Sequence, residues 1–342
     1  MKLSEFIGSR LIKTAVAIFI TAWICNQIGW PPVFAVITAI VTLEPTVSES
    51  IKKGFIRLPA SAIGSAYAVL FISLFGNSPI TYTLAAFFTI ATCVKLRLHA
   101  GLLVATLTAV AMIEVIYDNF FISFFIRLGT TSIGLIVSTA VNMFILPPDY
   151  TQEIVKNIQR LNSKTGKAIE KIFTNILLEK DLKDRGTMEA LQRSLQNTDT
   201  LIRYQKEETK YHPLVGHEKH LFQHAQEQIV TIRMIHYHME NLLNTPLDTV
   251  TWTKEERSVV LQAINYLSYS MEDEKNFEAK RHDTQLKILT ELFWEDNEEI
   301  TKKNEQHPTH FPPELIILYE LLSIFELVTE FYQTKSPIEK SV

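Results

Sequence analysis

The chain has 342 residues, 47% of them hydrophobic, and a formal net charge of −4. Up to residue 146 it carries nine Lys or Arg and five Asp or Glu, whereas the remainder carries 24 basic and 32 acidic residues. This contrast is typical of an apolar membrane domain joined to a charged soluble domain. The acidic second half argues against nucleic-acid binding, which requires a basic surface.

Motifs for catalysis are missing from the sequence. It contains no phosphate-binding glycine loop, no nucleophile elbow and no paired-cysteine metal motif. With 11 glycines in the whole chain, there is little material for a nucleotide cradle. We therefore expect that the protein is not an enzyme or an ATP-driven pump and that it needs no cofactor.

Six apolar runs in the first half predict a transmembrane domain of about six helical spans over residues 1–146. The runs cover residues 11–29, 32–45, 58–76, 79–95, 100–117 and 121–146. A span needs about 20 apolar residues, with a range of about 17–25, so the second and fourth runs predict tilted or broken helices. Between the second and third runs, Glu44-Pro45 and the pair Lys52 and Lys53 predict a short polar loop.

Basic residues precede the first run and occupy alternate turns, while the other turns contain none. They are Lys2, Arg10 and Lys13, then Lys52 and Lys53, then Lys95 and Arg97. Cytoplasmic loops of membrane proteins carry an excess of Lys and Arg. The pattern therefore predicts a multi-pass protein, in contact with membrane lipid, whose N- and C-termini are both cytoplasmic.

A short sequence in the third run recurs 70 residues later in the sixth. Arg57-Leu58-x4-Ile63-Gly64 is matched by Arg127-Leu128-x4-Ile133-Gly134. Equal spacing of four identical residues predicts an internal repeat. Each copy places one arginine in an apolar segment, where a charge is costly unless it faces the protein interior or a wet cavity.

Small residues recur at every fourth position after each arginine. The stripes are Ala60, Gly64 and Ala68 in the third run, and Thr130, Gly134, Ser138 and Asn142 in the sixth. Such stripes let helices approach closely in lipid, so Gly64 and Gly134 predict packing in which the third and sixth spans cross. They could also be packing seams without a further role. Asn142 lies deep in its span and needs a hydrogen-bond partner there.

Candidates for a substrate pathway are the ionisable residues in or beside the apolar runs, namely Lys13, Glu44, Arg57 and Arg127. Alternative interpretations remain open for each of them. Lys13 and Arg57 could extend to the membrane surface. Glu44 could end a broken helix or act as a gate. Arg127 could form a static ion pair with Glu114 or Asp118.

Residues 147–335 predict a cytoplasmic antiparallel helical bundle, so the predicted fold class is all-α throughout. Thr253 and Glu256 predict a capping box at a helix start. A heptad seam predicts that the first helix packs against another; it contains Ile154, Ile158, Leu161, Thr165, Ala168 and Ile172. Residues 336–342 predict a disordered tail.

Three histidines of the second half, His217, His220 and His224, lie at i, i+3 and i+7 on one predicted helix face. With Glu218 or Glu227, this face could bind zinc. A solvated polar face explains the same pattern, and we expect no metal unless a carboxylate from another helix converges there.

Short motifs in a fixed order give the chain a family resemblance. Trp30-Pro31-Pro32, Ile37-Thr38-Ala39-Ile40-Val41, Glu44-Pro45-Thr46 and Arg57-x6-Gly64 are followed by Arg127-x6-Gly134 and Asn142-x4-Pro147-Pro148. Together they resemble the aromatic acid exporter family, which is related to fusaric acid resistance proteins and more distantly to plant aluminium-activated malate transporters. The second half resembles the aromatic acid exporter C-terminal domain of Gram-positive bacteria.

This resemblance implies six-helix membrane units that work in pairs, and hence a homodimer of this chain in the bacterial plasma membrane. It also implies an anion path lined by basic residues, a role that falls by position on Arg57 and Arg127 and more weakly on Lys13. We expect an exporter or channel for small organic anions, with aromatic carboxylic acids implied by the family. The alternative is a membrane-anchored sensor or scaffold whose cytoplasmic bundle binds a partner or ligand.

Overall fold

The computed structural model describes residues 8–114, 120–178, 185–245, 247, 250–303 and 312–333. Within these ranges the chain forms twelve α-helices and no β-strand. The predicted all-α class is therefore confirmed. The predicted tail at 336–342 lies outside the described residues.

The chain divides into two compact units. The first contains Met1–Asp149 together with Tyr204–Pro213, and the second contains Tyr150–Arg203 and Leu214–Val342. The continuous part of the first unit ends close to the predicted boundary at residue 146. The return of Tyr204–Pro213 to the first unit was not predicted.

Six helices build the continuous part of the first unit. They are α1 (Ser9–Ile28), α2 (Pro32–Thr42), α3 (Val47–Phe75), α4 (Pro79–Lys95), α5 (Leu102–Ile113) and α6 (Phe120–Phe144). Three of them, α1, α3 and α6, are long and apolar enough to cross a membrane, while α2, α4 and α5 are shorter apolar helices. The short second and fourth elements agree with the sequence, whereas the shortness of α5 was not predicted.

The predicted polar loop around Lys52 and Lys53 is wrong, because both residues lie in the second turn of α3. The helix begins at Val47, and the Thr46 side chain accepts a hydrogen bond of 3.1 Å from the Glu49 backbone N–H. Thr46-x-x-Glu49 is a helix-start signature. The sequence contained this signature, but the two lysines that follow it led to the prediction of a loop.

The internal repeat extends beyond the arginine motif. Ala35-x2-Thr38-Ala39 in α2 is matched, again 70 residues later, by Ala105-x2-Thr108-Ala109 in α5. The two glycines contact these segments reciprocally. A methyl group on Gly64 would overlap the Ala105 carbonyl oxygen, and one on Gly134 would overlap the Ala35 carbonyl oxygen. Each glycine thus packs its helix against the second helix of the other repeat.

The two repeats run in opposite directions. Ser61 of α3 and Thr131 of α6, which are repeat equivalents, have their hydroxyl oxygens 3.1 Å apart. Eleven residues before Ser61, Ser50 accepts a hydrogen bond of 3.0 Å from Asn142, which lies eleven residues after Thr131. Helices α3 and α6 are therefore antiparallel and cross at Ser61 and Thr131. This is the geometry of an inverted repeat, in which a pseudo-two-fold axis passes between the two hydroxyl groups.

Six helices also contribute to the second unit. They are α7 (Thr151–Leu177), the first part of α8 (Arg185–Glu208), α9 (Gly216–Asn244), α10 (Lys254–Glu272), α11 (Ala279–Lys303) and α12 (Pro313–Gln333). Helix α7 packs against α9 and α10, and α12 packs against α9 and α11. The predicted seam is buried at every position, namely Ile154, Ile158, Leu161, Thr165, Ala168 and Ile172. The predicted capping box of Thr253 and Glu256 is present at the start of α10.

Buried polar groups of the second unit form hydrogen bonds between helices that are distant in sequence. Asn162 donates to the Met271 carbonyl at 3.0 Å and to the Tyr332 hydroxyl at 2.9 Å. The His236 Nε2 lies 2.9 Å from the Thr165 hydroxyl oxygen. Burial lowers the pKa of His236 to about 4 and raises the pKa of Tyr332 to about 12. Both groups are therefore neutral near pH 7.

Candidate anion site in the membrane unit

The two repeat-equivalent arginines are both buried. Arg57 is 6% exposed in α3, and Arg127 is 4% exposed in α6. A buried cation is stable only when nearby groups compensate its charge. How each arginine is compensated therefore decides what each can do.

Arg57 is neutralised by Glu44, which lies between α2 and α3. The Arg57 Nη2 is 2.6 Å from the Glu44 Oε1, and the Arg57 Nε donates to the Ala100 carbonyl at 3.2 Å. The other Glu44 oxygen lies 2.7 Å from the Lys53 Nζ, which also contacts Glu49 at 3.2 Å. One carboxylate thus bridges two cations, while the buried Arg57 Nη1 has no hydrogen-bond partner in the described residues.

Arg127 has no carboxylate partner among the described residues. Its Nη2 donates to the Thr108 hydroxyl, and its guanidinium lies over the Phe34 ring, 3.9 Å from the ring centroid. Within the described part of the chain, its Nε and Nη1 have no hydrogen-bond partner. A ring face offers weak attraction to a cation, on the order of 0.5–2 kcal/mol. The charge and two buried donors of Arg127 are therefore not compensated by a carboxylate or a hydrogen bond in the described residues.

The static ion pair considered for Arg127 is not formed with Glu114. The Glu114 carboxylate accepts a hydrogen bond from the Tyr82 hydroxyl. It is exposed, and no ion pair links it to Arg127 in the described residues. Asp118, the other proposed partner, lies outside the described residues.

Lys13 of α1 and Asn142 of α6 form a second buried polar group. The Lys13 Nζ donates to the Asn142 Oδ1 at 2.9 Å. The Asn142 amide donates in turn to the Glu44 carbonyl at 3.1 Å and to the Ser50 hydroxyl at 3.0 Å. Asn142 therefore has the partners that its depth requires. Lys13 is buried against it, and its side chain does not extend to the unit's surface.

A carboxylate that sequence reasoning missed lies at the start of α3. The Glu208 side chain is fully buried and accepts a hydrogen bond of 3.0 Å from the Val47 backbone N–H. Its other oxygen is 2.6 Å from the His212 Nδ1. Free N–H groups at a helix start attract anions. A helix beginning at Val47 predicts such a carboxylate, but nothing in the sequence pairs it with a residue 161 positions away.

The histidine face of α9 remains without a metal site in the described residues. No group of three or more His, Cys, Asp or Glu there is arranged to hold a metal ion. His217 is exposed, and His220 and His224 are half-buried. The carboxylate required from another helix does not converge on this face among the described residues.

Known proteins resemble the chain along its whole length. A family model described as aromatic acid exporter family member 1 matches residues 5–145. A UPF0421 protein of Oceanobacillus iheyensis is 45% identical over 338 residues, which is 98% of this chain and 97% of the relative. The chain belongs to the UPF0421 family.

Two further UPF0421 proteins show how far the family extends. One from Bacillus thuringiensis is 42% identical over 335 residues, which is 96% of this chain and 94% of the relative. One from Staphylococcus saprophyticus is 38% identical over 325 residues, 93% of this chain and 96% of the relative. The predicted resemblance to aromatic acid exporters of Gram-positive bacteria is confirmed. The family and the apolar helices together indicate a membrane protein with a role in transport.

Proposed function

We propose that this protein is an integral membrane exporter or channel-like transporter for organic anions, and that aromatic carboxylic acids are its first candidate substrates. The match to an exporter family supports transport. The observation that carries the choice of an anion is Arg127, a buried cation with two unfilled donors and no carboxylate partner in the described residues.

The surroundings of Arg127 restrict how an anion can approach it. The Phe34 ring covers one face of the guanidinium. A carboxylate therefore binds in the guanidinium plane. Since Nε and Nη1 point to different edges, it binds the second N–H of Nη2 together with the N–H of either Nε or Nη1. Hydrogen bonds between charged groups contribute about 1.5–3 kcal/mol each. Two such bonds are enough to select a carboxylate over a neutral analogue.

The alternative function of a membrane-anchored sensor or scaffold requires both arginines to be paired and sealed. Arg57 is paired with Glu44, and only its Nη1 has no hydrogen-bond partner in the described residues. Arg127 does not meet it within the described residues. We therefore assign the anion path to the first unit and treat the second unit as its helical domain.

In the membrane, the proposal places six helices of the first unit across or within the bilayer, with both termini in the cytoplasm. The alternation of basic turns supports this orientation. The charge-rich second unit is then cytoplasmic. We propose a homodimer, as the family resemblance implies, with no nucleic-acid partner.

Anion flux in proteoliposomes tests the proposal. The wild-type protein is expected to take up radiolabelled 4-hydroxybenzoate, and Arg127→Gln is expected to reduce the initial rate by about 100-fold or more, because two charge-assisted hydrogen bonds are lost. Arg97→Gln is the matched control, since it removes the same charge from an exposed position of the same unit.

Either of two results would contradict the proposed function. One is equal flux through wild-type and Arg127→Gln protein of unchanged size-exclusion profile. The other is no wild-type flux for a panel of aromatic and aliphatic carboxylates with a proton gradient of either sign.

A further inference from the structure

A second pair of ionisable residues obeys the 70-residue repeat. Glu44 is matched by Glu114, just as Arg57 is matched by Arg127. Each repeat therefore contains a glutamate at the end of its second helix and an arginine 13 residues later in its third helix. The repeats are inverted, so the two glutamate–arginine sets lie toward opposite ends of the unit.

The two sets are in different states in the same structure. Glu44 and Arg57 form an ion pair of 2.6 Å. Glu114 is turned to Tyr82, and Arg127 keeps two unfilled donors in the described part of the chain. The glutamate–arginine pair is thus formed in the first repeat, and it is not formed in the second within the described residues.

We propose that Glu114 is the gating partner of Arg127, and that the Glu44–Arg57 and Glu114–Arg127 pairs close alternately. In an inverted repeat each half can adopt the conformation of the other, which moves the opening from one end to the other. The structure is then one of two states, and the second has Glu114 on Arg127 and Glu44 away from Arg57. This inference rests on the proposed anion path and deepens it.

Two departures from the repeat explain why this state is the stable one. Tyr82 holds Glu114 away from Arg127, and its repeat equivalent is the apolar Ile12. Lys53 reinforces Glu44 at 2.7 Å, and its repeat equivalent is Ser123. Both departures favour a closed Glu44–Arg57 pair and an open Glu114–Arg127 pair.

The gate also gives the substrate a role in the exchange. Glu114 and a substrate carboxylate compete for the same guanidinium of Arg127. A bound anion neutralises Arg127 and leaves Glu114 on Tyr82, whereas release of the anion frees Arg127 for Glu114. Binding therefore favours the state in which the Glu114 end is open, since a ligand stabilises the conformation that it binds.

Chemical labelling of a thiol at the crossing point tests the exchange without any substrate. Ser61→Cys is placed in a chain carrying Cys25→Ser and Cys93→Ser, which removes the two native cysteines. A membrane-impermeant maleimide is added to one side of oriented membranes at a time. Ser61 lies at the centre of the inverted repeat, so each state exposes it to one side at most.

Labelling of the parent protein is expected to be slow, because Ser61 is fully buried in this structure, but faster from the Glu114 side than from the Glu44 side. Glu44→Gln, and separately Tyr82→Phe, should raise the labelling rate from the Glu44 side at least several-fold and lower it from the Glu114 side by a similar factor. Glu49→Gln is the matched control, because it removes a carboxylate from Lys53 but not from Arg57. It should shift the rates less than Glu44→Gln.

Three results would overturn the alternating pairs. They are a gain on one side without a loss on the other, no change in either variant, and no labelling from either side in any variant. Reciprocal labelling in a protein that moves no organic anion would remove the proposed substrate class and leave the gates standing. Anion flux without reciprocal labelling would remove the alternating pairs and leave the proposed substrate class standing.

Discussion

The two repeats of the membrane unit share their helix packing and differ in the treatment of their arginine. Gly64 and Gly134 contact the equivalent backbone of α5 and α2. Arg57, in contrast, forms an ion pair with Glu44, while Arg127 lies over Phe34 and has no carboxylate partner in the described residues. The helix packing is thus equivalent in the two repeats, whereas the compensation of the arginine charge is not. This difference is the basis of the proposal that an anion binds at Arg127.

The largest expected difference between the repeats is in the stability cost of losing each arginine. Arg57→Gln leaves Glu44 without its closest cation, and breaking a buried pair costs about 3 kcal/mol or more. Arg127→Gln breaks no ion pair in the described residues and removes an uncompensated charge. We therefore expect Arg57→Gln to reduce the free energy of unfolding by about 3 kcal/mol relative to Arg127→Gln.

Denaturant titration of both variants in the same detergent measures this difference. The double variant Glu44→Gln with Arg57→Gln is the control, because it removes both charges together. It should recover part of the loss. Equal free energies of unfolding for Arg57→Gln and Arg127→Gln would contradict the expected difference between the repeats.

A buried base in the second unit provides a contrasting case, because histidine can lose its charge on burial and arginine does not. Burial lowers the pKa of His236 from 6.5 to about 4. Between these values the unfolded chain takes up a proton that the folded chain does not. The contribution of neutral His236 to the free energy of unfolding is therefore fully present above about pH 6.5. It is lost as the pH falls toward 4, and the loss is at most about 3 kcal/mol.

Hydrogen exchange of α9 peptides at several pH values, corrected for the intrinsic rate, measures this effect. His236→Gln keeps a polar side chain next to Thr165 and cannot titrate, so the pH dependence between 6.5 and 4 should shrink. His217→Gln, on an exposed residue of the same helix, should leave it unchanged. An unchanged dependence in His236→Gln would assign the effect elsewhere, and His282, whose pKa burial also lowers, would be next to examine.

The smallest expected effect tests the symmetric part of the comparison. Gly64→Ala and Gly134→Ala each place a methyl group against a backbone carbonyl, and overpacking costs about 1–3 kcal/mol. Gly54→Ala in α3 meets only the Leu135 Cδ2 at 3.9 Å. It should be neutral or stabilising by up to about 1 kcal/mol, because alanine favours helix more than glycine does. Costs that differ strongly between Gly64 and Gly134 would argue against equivalent packing.

Sequence periodicity was sufficient to predict the all-α class and the buried seam of α7, because each depends on residues close in sequence. The contacts of Arg57 and Arg127 were not predictable in the same way. Both arginines stand in the same motif, and the difference between them comes from Glu44, Phe34 and Tyr82. Those residues are brought into place by the tertiary fold, which a local sequence pattern does not reveal.

Two features were present in the sequence and were missed. Thr46-x-x-Glu49 indicates the start of α3, which two lysines made look like a loop. The spacing of 70 residues between Glu44 and Glu114 is as regular as that between the arginines. Its significance is clear only from the structure, where Glu44 pairs with Arg57 and Glu114 accepts a hydrogen bond from Tyr82 instead. The contact between Glu208 and Val47 could not be predicted, since no local sequence pattern links the two residues.

Equilibrium binding of 4-hydroxybenzoate to the purified full-length protein, by isothermal titration calorimetry, tests the central claim most directly. Wild-type protein is compared with Arg127→Gln, Arg57→Gln and Arg97→Gln. We expect binding to the wild type and to Arg97→Gln, affinity within a few-fold for Arg57→Gln, and a loss of about 100-fold or more for Arg127→Gln. Equal affinity of the wild type and Arg127→Gln would contradict the assignment of Arg127 as the anion site.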